Sequence, residues 1–299
     1  MPQPRRIIID TDPGQDDAVA ILLALASPEL EVLGVTAVAG NVPLALTQVN
    51  ARKVCELAGR PDIPVFAGAD RPLERTLLTA EYVHGATGLD GPDLPEPTMP
   101  LQQAHAVDFI LETLRGAEDG EITICTLGPL TNIAQAIRRA PELLPKVAEI
   151  VIMGGGFFEG GNTTPAAEFN VYVDPQAAAI VFGCGRPVTL FPLDVTHQCL
   201  TCAARIARIR GLGTPVAEAV AALLEYFERF DEAKYGTDGG PLHDPNVIAW
   251  LLAPELYSGR QINLAVETGS ELTMGMTVAD WWGVTGRAPN VHYIRHMDA

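Results

Sequence analysis

The sequence predicts an α/β fold: one open, mostly parallel but mixed sheet with helices on both faces, in a single domain spanning residues 1–299. Three observations carry this. Short β-branched runs, polar turns and helical stretches alternate along the chain, the beat of parallel strands joined by helical crossovers. Polar residues suited to ligands fall repeatedly just after the apolar runs, at the strand edge where open α/β sheets bind. No repeat, low-complexity tract or linker interrupts the pattern, so one domain is the economical reading.

The first unit is IIIDTDPGQDDAVAILLA, residues 7–24. Ile7, Ile8 and Ile9 suit a buried strand and are too few for a helix; Pro13 and Gly14 end it, and a helix starts near Asp16 or Asp17 and runs to Ala26. Asp10 and Asp12, two apart on an extended segment, leave it on the same side, while Asp16 and Asp17 open the helix. Four carboxylates converge. A helix N-terminus offers only about half a positive charge, so the cluster needs a cation or a proton. Hard oxygen ligands in a flexible turn favour calcium or magnesium over zinc. One or two Asp here would read as helix capping. The turn lacks Lys and repels phosphate, which excludes a phosphate loop. An EF-hand starting at Asp10 fails because Gln15 and Ile21 stand where Gly and Glu belong. An aspartyl-phosphate phosphatase shares only the strand and D-x-D, with Gly14 where a small hydroxyl or β-branched residue is expected, and is a minor alternative.

Residues 31–39 are a second strand, and Gly40-Asn41 leads into a helix over 43–57; Asn41 is either turn chemistry or a ligand contact. Residues 63–67 are a third strand. The Pro- and Gly-rich stretch 68–100, with His84 in VHGATGLDG, is a long loop of the kind that is functional or disordered. A helix over 104–114, a strand over 122–126, a turn and helix from GPLTNIAQAIRR and a strand over 149–153 follow. The glycine run after Met153 lacks the spacing of a dinucleotide loop. Asn162, Glu168 and Asn170 suit hydroxyls, and Asp174-Pro175 opens a helix. A strand over 188–193 ends at Asp194, with His197 close behind. Residues 203–230 are helical, broken by GLG at 211–213, and His243 and Asp244 precede Pro245 at the start of another helix. INLAV and ELTMGMTVADWW alternate as edge strands do; Trp281 and Trp282 read as packing or subunit contact.

The chain is globular, with 47% hydrophobic residues, and contains no apolar run near the ~20 residues that cross a membrane. MPQPRR leads straight into a strand without a signal-peptide core, so the expectation is a cytoplasmic protein. A formal net charge of −17 argues against nucleic-acid partners and suits a neutral or cationic small substrate. Five cysteines, with a lone C-x-x-C at Cys199 and Cys202, read as buried free thiols.

Taken together, DTDPGQDDA, VAGN, HGATGLDG, LGPLTNIA, MGGG followed by GNTTPAAEFNVYVDP, LDVTH and HDPNVIA resemble the inosine-uridine-preferring nucleoside hydrolases, in family order over about four fifths of the chain. The resemblance implies an open α/β fold, a bound calcium ion, and hydrolysis of ribonucleosides to free base and ribose in nucleoside salvage. By resemblance, Asp12, Asp17, Asp244 and the carbonyl of Leu127 hold the calcium, with Leu127 replacing a frequent Thr, and Asp12 is also the general base. Asp16 and Asn41 grip the ribose diol with Asn170 beside them, Asn162 and Glu168 hold the 5′-hydroxyl, and Met153 and Phe169 line the pocket. Asp10 orients the loop. His243 and His84 activate the leaving base, and Tyr226 and Tyr235 are candidates to contact it. His243 favours an inosine- or pyrimidine-accepting enzyme, and the family implies a homodimer or homotetramer. The competing readings are a hydrolase of a modified nucleoside or other N-riboside, and a non-catalytic calcium-dependent nucleoside-binding protein.

Overall fold

The computed structural model describes residues 3–236 and 238–299, with the side chains of residues 231–233 and 235 outside the description. The three isoleucines form the centre of β1 (Arg5–Thr11), which turns through Pro13 and Gly14 into α1 (Gln15–Ala26). There follow β2 (Leu30–Ala37), α2 (Leu44–Leu57) and the short β3 (Val65–Ala67). The long connection after β3 carries one turn of helix, α3 (Glu81–His84), before α4 (Ala106–Arg115). Next come β4 (Ile122–Thr126), α5 (Thr131–Arg139), β5 (Val147–Met153), α6 (Phe169–Val173), α7 (Pro175–Phe182) and β6 (Val188–Phe191). The strand expected to reach Leu193 stops at Phe191: Pro192 has no N–H to give to a ladder, and α8 (Leu193–Thr196) starts behind it. β7 (Leu200–Thr201), α9 (Ala203–Arg210), α10 (Pro215–Tyr235), β8 (Gly240–Pro241) and α11 (Pro245–Leu252) lead to β9 (Tyr257–Val266), β10 (Thr277–Asp280) and β11 (Val291–Met297).

Nine strands form one sheet in the order β10-β9-β11-β6-β5-β4-β1-β2-β3. Within it β9 pairs antiparallel with both β10 and β11, and every other pairing is parallel. The mixed, mostly parallel sheet is therefore as expected. The edge-strand reading holds for β10 alone, because β11, which its half-polar sequence VHYIRHM conceals, inserts between β9 and β6. Residues 271–275 are turn, and the strand begins only at Thr277.

Strand alternation divides the core between the two faces. Ile7 and Ile9 pack with residues of α1, α2, α10 and α11, while Ile8 packs with residues of α4, α5 and α7. From β1 the chain winds outward through β2 and β3, then returns to β4 on the other side of β1 and winds through β5 and β6. The order reverses between β1 and β4, so the loops leaving their C-terminal ends diverge and open a crevice. Asp10, Asp12 and Leu127 belong to those two ends. Trp281 packs against the Arg260 guanidinium at 4.6 Å and the ring of Phe158, whereas Trp282 is 77% exposed. All five cysteines are free, but only Cys55 and Cys125 are buried.

Candidate active site

The strand ends bring the carboxylates together. Asp10, last but one in β1, accepts from Thr36 Oγ1 at 2.6 Å and Asn132 Nδ2 at 2.8 Å. Asn132 also donates to the Ala37 carbonyl and accepts from Ala69 N–H, so Asp10 and Asn132 tie the ends of β1, β2 and β3 together. Burial raises the Asp10 pKa to about 7.

Asp12 lies between two glycines. A Cβ at Gly40 would come within 2.0 Å of Asp12 Oδ2, and one at Gly128 within 2.3 Å of Oδ1, so close approach requires glycine in both the VAGN and LGPLTN turns. Oδ2 accepts the Asn41 N–H at 2.7 Å, while Oδ1 is buried with no hydrogen-bond partner among the described residues. Asn41 Nδ2 donates to the Asp12 carbonyl and to Asp17 Oδ2. Asp17 accepts further from Thr11 Oγ1 and from Gly14 N–H at 2.9 Å. Asp244, brought by the start of α11, is buried and touches Asp17 carboxyl to carboxyl. Ligand oxygens of Asp16, Asp17 and Asp244 all lie within 4.8 Å of one another.

Burial, and then mutual repulsion, push the pKa values of Asp12 and Asp244 far up, and burial raises that of Asp17. Four acids so placed are stable only when protonated or when a cation lies among them. The unpartnered Oδ1 of Asp12 and the all-oxygen donor set fit a hard divalent metal ion. The geometric trio contains Asp16 in place of Asp12.

Above the acids opens a cleft of about 70 Å³. Asp16, Asp17, Asn41, Leu127, Met153, Asn162, Glu168, Phe169, Asn170, His84, His243 and Asp244 all line it. The Leu127 carbonyl accepts from Asn170 Nδ2 at 2.7 Å and keeps a second lone pair. Glu168 caps α6, accepting from Asn170 and Val171 N–H, and also from Gly155 N–H, with burial raising its pKa to about 7. Asn162 Oδ1 accepts the Phe169 N–H at 2.9 Å.

Two imidazoles face the cleft. His84 Nδ1 contacts Gln15 Oε1 at 2.7 Å and its ring stacks on Phe227. His243 Nδ1 contacts Thr196 Oγ1 at 2.7 Å. Burial holds the His84 pKa down to about 3 and that of His243 well below its ordinary value, so both rings are neutral at neutral pH. Tyr226 does not line the cleft. One position along α10 from Phe227, it points about 100° away, its hydroxyl 3.5 Å from Asp90 and its ring under Arg229. Phe227 and Phe230, three apart, form the aromatic wall instead, with Tyr82 edge-on to Phe230. Neither aromatic of α10 stands out in the sequence, because nothing local fixes the helix's rotation. The Tyr235 side chain lies outside the described residues.

A carboxylate cluster that could hold a metal ion lies at the switch point of an open α/β sheet, under a cleft rimmed with amides and aromatics that suits a small polar ligand. The model of the inosine-uridine preferring nucleoside hydrolase family matches residues 7–299, and the chain belongs to that family. The pyrimidine-specific ribonucleoside hydrolase RihA of Salmonella agona is 50% identical to it over 293 residues, covering 98% of this chain and 94% of that protein. The solved purine-preferring ribonucleoside hydrolase of Gardnerella vaginalis is similar with a TM-score of 0.92 at 30% identity, over 98% of this chain and 94% of its own. A plant nucleoside hydrolase, PpNRh1, gives 0.90 at 34%, over 99% and 95%. The chain is thus an enzyme of the ribonucleoside N-ribohydrolase type.

Proposed function

We propose that the protein hydrolyses the N-glycosidic bond of pyrimidine ribonucleosides to free base and D-ribose, with calcium in the carboxylate cluster. The carrying observation is the buried trio of Asp16, Asp17 and Asp244 beside the unpartnered Oδ1 of Asp12, opening on an amide-rimmed cleft. Breaking an N-ribosyl bond builds positive charge on the sugar ring, and an anionic pocket stabilises that charge. Asp12, Asp17, Asp244 and the Leu127 carbonyl would hold the calcium, which when bound would supply positive charge that makes a water more acidic. Asp12 accepts the proton of the attacking water. Asp16 and Asn41 hold the 2′- and 3′-hydroxyls with Asn170 beside them, Asn162 and Glu168 the 5′-hydroxyl, and Met153 and Phe169 shape the wall. His243, whose Nδ1 lies 2.7 Å from Thr196 Oγ1, is assigned to activate the departing base.

The 50% identity to a protein named as pyrimidine-specific supports uridine and cytidine over purines, the purine-preferring structure being 30% identical. The same reading makes the protein a cytoplasmic salvage enzyme assembled as a homodimer or homotetramer. A reducing-sugar assay on uridine, cytidine, inosine and adenosine tests it, with protein as purified, after exhaustive chelation, and after calcium is restored. Ribose release from pyrimidines that vanishes on chelation and returns with calcium is expected. Turnover that survives chelation removes the metal assignment, and no turnover at all removes the reaction.

A further inference from the structure

Gln15 stands inside the acidic turn, fully buried and uncharged. Its amide binds only the connection that carries His84. Nε2 donates to the backbone carbonyls of His84 at 2.9 Å and Asp90 at 3.0 Å, and Oε1 faces His84 Nδ1 at 2.7 Å. Those two carbonyls fix which end of the amide is NH₂, since the reversed amide would set oxygen against two oxygens. Oε1 therefore accepts, and the hydrogen sits on His84 Nδ1. Among the described residues the ring has no acidic partner, and burial holds its pKa down to about 3, so it stays neutral. A neutral imidazole with its hydrogen on Nδ1 has only a lone pair on Nε2. The Nδ1–Cε1 edge lies against Gly14, where an added Cβ would come within 2.4 and 2.7 Å of those atoms, and one ring face lies on Phe227. Nε2 is the polar atom left for the cleft that His84 lines.

We propose that Gln15 is a positioning residue that locks His84 as the Nδ1–H tautomer, so that His84 Nε2 accepts a hydrogen bond from an O–H or N–H of the bound nucleoside. This rests on the nucleoside-cleaving reading of the same cleft. A ligand that turns a lone pair toward His84 is then rejected. A pyrimidine ribonucleoside has two suitable groups, the ribose 5′-hydroxyl and a base N–H such as N3–H of uracil.

The test uses the full chain labelled with ¹⁵N-histidine, whose two-bond N–H spectra distinguish the tautomers; the His84 signals are those missing from His84→Asn. Wild-type protein is expected to show Nδ1–H, Gln15→Met a mixed or Nε2–H ring, and Gln15→Glu, which keeps an acceptor, Nδ1–H again. In Gln15→Met, KM for uridine rises about tenfold, the worth of one neutral hydrogen bond, with a smaller change in kcat, and Gln15→Glu recovers part of it. Should Gln15→Glu fail to fold, Gln15→Met decides alone. 5′-Deoxyuridine and 3-methyluridine identify the donor: the analogue lacking it has the same KM in wild type and Gln15→Met. A penalty that persists with both analogues overturns the proposal, as does an Nε2–H or cationic His84 in wild type, or an unchanged tautomer in Gln15→Met. If wild-type protein releases ribose from no nucleoside, the reading of the cleft falls while the spectra still judge the tautomer lock.

Discussion

Asp12, proposed above as the general base, has one oxygen bound to Asn41 N–H and the other, among the described residues, buried and unpartnered between Gly40 and Gly128. Asp12→Asn keeps the shape and removes the charge, so ribose release is expected to fall by about 10²- to 10⁴-fold or more, measured as initial rate on uridine with calcium saturating. An Asn variant within tenfold of wild type would remove Asp12 as the base. His243 is tested by leaving group. His243→Ala should slow uridine while sparing p-nitrophenyl riboside, whose leaving group needs no hydrogen-bond donor; equal losses on both would deny it that role. Spacing alone gathers Asp12, Asp16 and Asp17 in one turn, but Asp10, which it also draws in, is bonded to Thr36 and Asn132 instead, and the fourth acid of the cluster, Asp244, comes from the start of α11, which no local spacing reveals. Gln15 was not legible, because its partners His84 and Asp90 lie 69 and 75 residues further on.

At the scale of elements, the short helix α6 shows how structure and ligand site share groups. Glu168 caps it and also holds Gly155 of the glycine run, while facing the cleft. Burial raises its folded pKa from 4.5 to about 7. Between those values the folded state holds a proton that the unfolded state has released, so stability falls as pH rises from about 4.5 to about 7. With calcium saturating, so that the Asp cluster does not titrate, calorimetry should give a lower Tm at pH 8 than at pH 5. Because Asp10 is likewise raised to about 7, Glu168→Gln should reduce that difference without abolishing it, and a slope identical to wild type would show that Glu168 does not titrate there. Most elements were readable from apolar runs and their turns. β11 was not, since a strand buried by pairing on both edges tolerates His292, Arg295 and His296 where they reach the sheet's partly exposed margin. The rotation of α10 is equally hidden: it turns Phe227 and Phe230 to the cleft and Tyr226 away from it.

For the whole molecule, the two-faced core makes a prediction about its thiols. Cys55 lies in the cluster on one face and Cys125 sits in β4, both fully buried, with burial raising the Cys55 pKa to about 12 and that of Cys125 further still. Ellman's reagent on native protein should therefore titrate at most Cys184, Cys199 and Cys202, with all five reacting in guanidinium. Fast reaction of five thiols in native buffer would contradict this core. The same architecture gives the divergence of β1 and β4 a meaning beyond ligand placement. Asp12 comes from the first strand and Asp244 from a helix near the far end of the chain, so an ion that holds both closes a loop of most of the polypeptide. Such an ion binds only the folded chain and adds its binding free energy to the stability of the whole fold. The catalytic centre is then also the clasp of the molecule, and chelation should lower the melting temperature of strands far from any carboxylate.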